Sequence, residues 1–226
     1  MKFIIDKAKL IQDLKKILEE KYILTSKASK YYHQKGYRYG IGEAFAIIKP
    51  GNLLEYWKVL ELCVDADFIV IMQAANTGLT GGSTPNGTDY DRPIVIVNTM
   101  RINDIHFIDE GKQIIALPGS TLFDLENKLA PIGREPHSVI GSTSIGASIV
   151  GGVCNNSGGS LIQRGPAYTE LSIYAQVNKK GSNIVTDPIA KDSGVDHQKI
   201  KAELDRKSKP KANDVSTESP RLIEMI

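Results

Sequence analysis

Cysteine is scarce in this chain: two residues, Cys63 and Cys154, in 226. Two thiols cannot build the disulfide framework that staples small secreted domains, and no paired Cys/His spacing marks a structural metal site. An excess of one charge is also lacking. With 28 basic and 26 acidic residues the net charge is +2 at pH 7, so nucleic acid is not expected as the main partner. No apolar run reaches the roughly 18 residues of a membrane span, and the N-terminus lacks the apolar core of a signal peptide. A cytoplasmic protein is expected, with peripheral membrane contact left open. Internal repeats and low-complexity tracts are absent, which excludes solenoids and linkers as the main architecture. The remainder, 41% hydrophobic and 24% charged, is that of an ordinary globular protein. Its length suffices for one large domain or two small lobes.

Glycine is what the chain has in concentration. Residues 141–159 read GSTSIGASIVGGVCNNSGG and hold six glycines. Without a Cβ, backbone approaches a flat or charged ligand closely, at a cost in conformational entropy that calls for a reason. A helix over residues 145–153, opening at Ser144 or Ile145, would offer free first-turn N–H groups to a phosphate or an electron-rich ring. Gly151 and Gly152 would admit a planar ligand, and Asn155, Asn156 and Ser157 would meet ring edges. The competing reading is a helix crossing packed through small residues. A second run, residues 74–87 (AANTGLTGGSTPNG), follows an apolar strand. Gly78, Gly81 and Gly82 let successive N–H groups converge on an anion, and Asn76, Thr77, Thr80 and Ser83 add short donors. The run contains no Lys or Arg and fits neither the G-x-G-x-x-G nor the G-x-x-x-x-G-K-[ST] pattern. A plain surface loop is its competing reading.

Periodicity places the elements around these runs. Residues 7–21 form an amphipathic helix with Leu10, Ile11, Leu14, Ile17 and Leu18 on one stripe. Residues 25–42 read as mostly loop, with four tyrosines expected to pack locally. Residues 44–49 are a strand stopped by Pro50-Gly51. Asn52 caps a helix, with Glu55 in capping-box position and Leu53, Trp57, Leu60 and Val64 as its buried face. Residues 68–73 and 93–98 are further strands, the first expected to be covered on both faces. Strands 105–109 and 113–117 pair around Glu110-Gly111-Lys112. Ser120 or Thr121 caps a helix through Leu129, closed by Pro131. Residues 171–178 and 183–187 form a hairpin. The domain organisation is a first α+β lobe over 1–100, a second over 101–190, and a polar tail over 191–226 expected to be disordered.

Two stretches, AANTGLTGGSTPNGTDYDRPIVIVNT and LAPIGREPHSVIGSTSIGASIVGGVCNNSGGSLIQRGPAYTELSIYAQVN, resemble the FAD-binding domain of bacterial quinone-dependent D-lactate dehydrogenases. The wider group is the vanillyl-alcohol-oxidase flavin fold. The resemblance runs from about residue 22 to 178, with both glycine-rich segments in order. It implies an α+β, two-lobed FAD-binding domain, incomplete at its C-terminal end. It implies that Ala74, Ala75, Asn76, Thr77, Gly78, Gly82 and Ser83 wrap the FAD pyrophosphate. Gly141, Ser148 and Gly158 are implied as further FAD contacts. The family oxidises D-lactate to pyruvate, passes electrons to membrane quinone, and is peripheral on the cytoplasmic face of the inner membrane. Its members are much longer, and their substrate domain should follow residue 178. The expectation is therefore a truncated chain that binds FAD without turning over lactate alone, with no catalytic residue to assign and no metal. The alternative from another class is a folded, cofactor-free remnant that self-associates through its unfinished surface. His137, Cys154, Arg134 and Arg164 are weak candidates beside the flavin.

Overall fold

The computed structural model describes residues 6–136, 140–155 and 157, together with the backbone of two strands between residues 174 and 186. Gly158, His137, Asn156, Arg164 and residues 191–226, all of which carried sequence expectations, lie outside the described residues.

Helix α1 (Lys7–Leu14) opens on Asp6, whose carboxylate accepts the Lys9 N–H at 2.9 Å. It is half the length expected. Ile17 and Leu18 both turn their N–H groups to the Leu14 carbonyl, so the chain tightens into turns while Leu18 stays 4% exposed. The apolar stripe is conserved in space although the helix that suggested it has ended. Residues 25–42 are less irregular than expected. A short helix α2 (Lys27–Lys30) is capped by the Ser26 hydroxyl, and a 3-10 turn (Tyr31–His33) follows it.

Strands β1 (Ile23–Leu24), β2 (Ala46–Ile48), β3 (Ile69–Gln73) and β4 (Ile94–Asn98) make one sheet in the order β1-β2-β4-β3. Only β1 is antiparallel. β4 lies in the middle and is buried along its whole length, as its unbroken apolar run requires. Its side chains alternate between two cores. Val95 and Val97 join Leu10, Leu14, Val59 and Cys63, whereas Ile94 and Ile96 join Ala44 and Ile47 on the other face. Each such aliphatic side chain contributes about 1.5–3 kcal/mol by leaving water. The expectation that β3 is covered on both faces is corrected. It is the edge strand, with Ile69, Val70 and Ile71 half-buried and Met72 38% exposed.

Helix α3 (Leu53–Asp65) connects β2 to β3 and carries the expected cap. Asn52 Oδ1 accepts from Glu55 N at 2.8 Å, and the Glu55 carboxylate reaches back to Gly51 N at 2.7 Å. Its buried face is Val59 and Cys63, with Tyr56 and Leu62 beside them, rather than Leu53, Trp57, Leu60 and Val64. The helix is apolar around most of its circumference, so periodicity alone does not select a face.

Strands β5 (Ile105–Ile108) and β6 (Gln113–Ala116) pair as expected, across a turn in which Asp109, Glu110 and Gly111 all have positive φ. Helix α4 (Leu122–Leu129) is capped by Thr121, not Ser120, and runs into a 3-10 turn containing Pro131. α4 buries Leu122, Leu125 and Leu129 against Ile105, Ala147 and Ile149. Helix α5 (Ile149–Cys154) lies in the central glycine-rich stretch, and β7 (Tyr174–Val177) pairs with β8 (Asn183–Thr186) as an antiparallel hairpin. Among the described residues no helix is long and apolar enough to cross a membrane.

Candidate functional site

Two parallel strands end side by side in amide residues. Gln73 closes β3, Asn98 closes β4, and they are register partners at 2% and 3% exposure. A buried amide must be hydrogen-bonded to offset its desolvation. Gln73 Nε2 donates to the carbonyls of His33 and Ser83, both at 2.9 Å. Gln73 Oε1 faces His33 Nδ1 at 2.7 Å and accepts from Asn98 Nδ2 at 3.2 Å. Asn98 Nδ2 also reaches the Ala74 carbonyl at 3.0 Å. This network is the floor of the loop at residues 74–87, which leaves the carboxyl end of β3. In open parallel sheets that end is where ligands bind.

The loop is closed across its base by its own side chains. Asn76, at φ 56°, donates from Nδ2 to the Lys35 carbonyl at 2.8 Å and accepts from Ser83 Oγ at 2.8 Å. Asn76 and Ser83 therefore hold the loop's shape in this structure. The backbone N–H groups of residues 75–83 donate to no protein acceptor among the described residues. A Cβ added at Gly78 or at Gly82 would meet nothing within 4 Å, so the backbone there faces open space. Nine successive N–H groups without a protein acceptor, with open space at Gly78 and Gly82, are the kind of donors an anion nest uses. The loop itself contains no Lys or Arg, so any charge it met would be met by backbone dipoles.

The second glycine-rich stretch is built differently from the sequence expectation. Its helix opens at Ser148 rather than at Ser144 or Ile145. Residues 143–145 form a 3-10 turn that ends on Gly146, whose φ of 88° breaks the helix before it can propagate. Ser148 Oγ accepts the Gly151 N–H at 3.0 Å and is buried. A Cβ on Gly151 would lie 2.6 Å from that hydroxyl, so Gly151 makes room for the cap and not for a planar ligand. Gly141 is exposed, and a Cβ there would meet nothing within 4 Å.

Short steps of backbone link the two stretches. The Thr99 N–H donates to the Gln73 carbonyl at 2.8 Å. Gly119 packs against Thr99 and Met100 so closely that any Cβ would collide with their backbone. Next to it, the Ser120 carbonyl accepts from Ile149 N at 2.9 Å, and Thr121 bridges to Ser148. The floor of the loop at 74–87 and the cap of α5 thus belong to one bonded framework. On the sheet side, the Tyr56 hydroxyl donates to Met72 Sδ at 3.8 Å. Burial, with Cys154 adding to it, pushes the Tyr56 hydroxyl up to about 12. Burial pushes the Cys63 thiol up to about 12 as well, and raises Cys154. Neither thiol is poised as a nucleophile. Among the described residues no three His, Cys, Asp or Glu side chains gather.

Sequence reasoning did not find Gln73, Asn98 or His33. The available signal was that two apolar strands, FIVIMQ and PIVIVN, both end in an uncharged amide.

The model of the family described as "FAD binding domain" matches residues 44–185. A quinone-dependent D-lactate dehydrogenase of Haemophilus influenzae is 54% identical over 198 residues, covering 88% of this chain and 35% of that protein. The protein of the same name from Escherichia coli is 50% identical over 200 residues, again covering 88% and 35%. The chain thus spans about a third of the length of these curated relatives. Among solved structures, p-cresol methylhydroxylase with substrate bound matches with a TM-score of 0.64 at 16% identity, over 79% of this chain and 35% of that one. That likeness concerns the fold, which is the vanillyl-alcohol-oxidase type expected from the sequence.

Proposed function

The chain belongs to the FAD binding domain family, and from that premise we propose that it is the flavin-binding portion of a quinone-dependent D-lactate dehydrogenase. The observation that carries the proposal is the run of unpaired N–H groups at residues 75–83 above the Gln73–Asn98 floor. FAD is the cofactor. When bound, it would take up the hydride, and with it both electrons, removed from a 2-hydroxy acid. This chain's residues bind and orient it. The backbone of Ala74, Ala75, Thr77, Gly78 and Gly82 receives the pyrophosphate, while Asn76 and Ser83 hold the loop in shape. Gly141 offers an open backbone approach. Ser148, capping α5, fixes the wall against which the ring system rests, and Gly158 is a further FAD contact by the resemblance alone.

In this reading D-lactate and quinone are reactants of the longer protein, and the described residues contribute no proton acceptor to the reaction. Residues 1–100 and 101–190 are read as two lobes, each carrying one of the two glycine-rich stretches. The assembled protein sits peripherally on the cytoplasmic face of the membrane. The family match speaks against the cofactor-free remnant as an alternative.

Titration of the purified chain with FAD, followed by flavin fluorescence and by melting temperature, tests the proposal. Saturable binding of FAD, tighter than ADP or riboflavin, is expected. D-lactate should not bleach the bound flavin. No binding at FAD concentrations up to the millimolar range would refute the reading.

A further inference from the structure

We propose, resting on the FAD reading above, that the turn at residues 35–41 is the second wall of the phosphate cradle, with Lys35 and Arg38 as its cationic positioning residues. They supply the positive charge that the loop at 74–87 lacks. The turn touches that loop at its start, middle and end. At the start, the Lys35 carbonyl accepts from Asn76 Nδ2 at 2.8 Å. In the middle, Gly81 lies against Tyr39, where an added Cβ would meet the ring at 2.9 Å. At the end, Gly87 N donates to the Ile41 carbonyl at 2.8 Å, and Gly42 bridges to Gly87. The turn is itself closed, with Gly36 N donating to the Gly40 carbonyl at 2.8 Å and Lys35 bridged to Ile41. At Gly36 any Cβ would strike the Tyr39 carbonyl, so the turn is held in one shape. Tyr39 stays 59% exposed while its hydroxyl accepts from Asn86 Nδ2 at 3.3 Å, leaving much of the ring free to line the cradle.

Charge points the same way. No Asp or Glu occurs from Lys21 through Gly42, a stretch with five cations: Lys21, Lys27, Lys30, Lys35 and Arg38. Lys21 pairs with Glu19, and Lys30 Nζ is engaged by the carbonyls of Ala44 and Phe45. Lys35 and Arg38 are exposed and have no carboxylate partner among the described residues. Glu43 follows the turn in sequence, and Asp89 and Asp91 flank Tyr90, which Asn86 joins to Tyr39; Asp91 pairs with Arg92. Lys35 and Arg38 stand on a turn bonded to a loop that has no charge of its own, and the two negative charges of a pyrophosphate exceed what backbone dipoles neutralise.

The test replaces both side chains, Lys35→Gln with Arg38→Gln, in the full chain. FAD affinity should fall about tenfold, each cation contributing what a solvent-exposed ion pair does. The dependence of log Kd on log salt should flatten, because screening acts on the charges removed. Riboflavin, which has no phosphate, should bind the variant and the parent equally. The apo melting temperature should not move, and Arg38→Lys should restore part of the salt dependence. Parental FAD affinity and salt slope in the double variant would overturn the proposal while leaving the FAD reading standing. If the parent chain itself binds no FAD, both fall. If the variant keeps its FAD affinity but loses binding to anionic phospholipid vesicles, the turn is a membrane contact and the proposal is wrong.

Discussion

Replacing Gln73 by methionine tests whether the loop's floor is the structural keystone it looks to be. Methionine conserves length and volume, so the change removes polarity with little change in packing. Four side-chain hydrogen bonds are lost, to the His33 carbonyl, the Ser83 carbonyl, His33 Nδ1 and Asn98 Nδ2. At about 1 kcal/mol net for each, the loss is about 4 kcal/mol. His33 and Ser83 lie toward solvent and can recover water, which lowers the expectation to about 3 kcal/mol. Domains of this kind are stable by about 5–15 kcal/mol, so the variant should fold but be visibly weakened. With a urea slope of about 2 kcal/mol/M, the unfolding midpoint should fall by about 1.5 M at unchanged slope. Ser83→Ala, which removes only the bond to Asn76, should cost about 1 kcal/mol in the same assay. A midpoint shift below about 0.5 M for Gln73→Met would refute the reasoning, since the buried amide would then be replaceable by any side chain of its size.

Gly82→Val should leave the apo midpoint within about 0.5 kcal/mol of the parent, because the added atoms enter open space, yet weaken FAD at least tenfold by isothermal titration. Stability should fall in alkali. Cys63 and Tyr56 are both held protonated in the fold to about 12, above their ordinary values of 9.0 and 10.0, so their contribution is complete below pH 9. It is lost as pH rises toward 12 and amounts to about 4 kcal/mol by pH 11. Urea midpoints between pH 8 and 11 measure this, and Cys63→Ala should delay the onset to about pH 10. Asn52→Ala should cost about 1 kcal/mol by removing the α3 cap, read by thermal unfolding. In the native protein a maleimide should label Cys154 slowly and Cys63 only after unfolding, as mass spectrometry can follow.

Elements governed by neighbours in sequence were legible from it. Asn52 with Glu55 and the β5–β6 turn rest on contacts close in sequence, and the structure reproduces them; of Ser120 and Thr121, which the sequence leaves open as the α4 cap, the structure selects Thr121. Elements decided by distant packing were not. α3 has apolar residues on nearly every side, so its buried face depends on where α1 and the sheet lie. β3 reads as covered on both faces because its sequence is as apolar as that of β4, yet it stands at the edge of the sheet and is only half-buried. The site shows the same division. The glycines of residues 74–87 announce a close backbone approach, but their floor comes from His33 and Asn98, and their flank from residues 35–41. Gly151 reads as ligand space because a missing Cβ looks the same in sequence whether a ligand or the protein's own serine fills it.

The unpaired N–H groups at residues 75–83 also make the chain its own clock. Amide protons without an acceptor exchange with solvent at close to their intrinsic rates, while those in β4, bonded on both sides, exchange only through unfolding. In deuterated water the empty loop should be labelled within the dead time of the experiment. Each phosphate oxygen that arrives should slow a countable number of those protons. Cofactor occupancy can then be followed in a mixture, without colour and without turnover, from the mass of one short peptide.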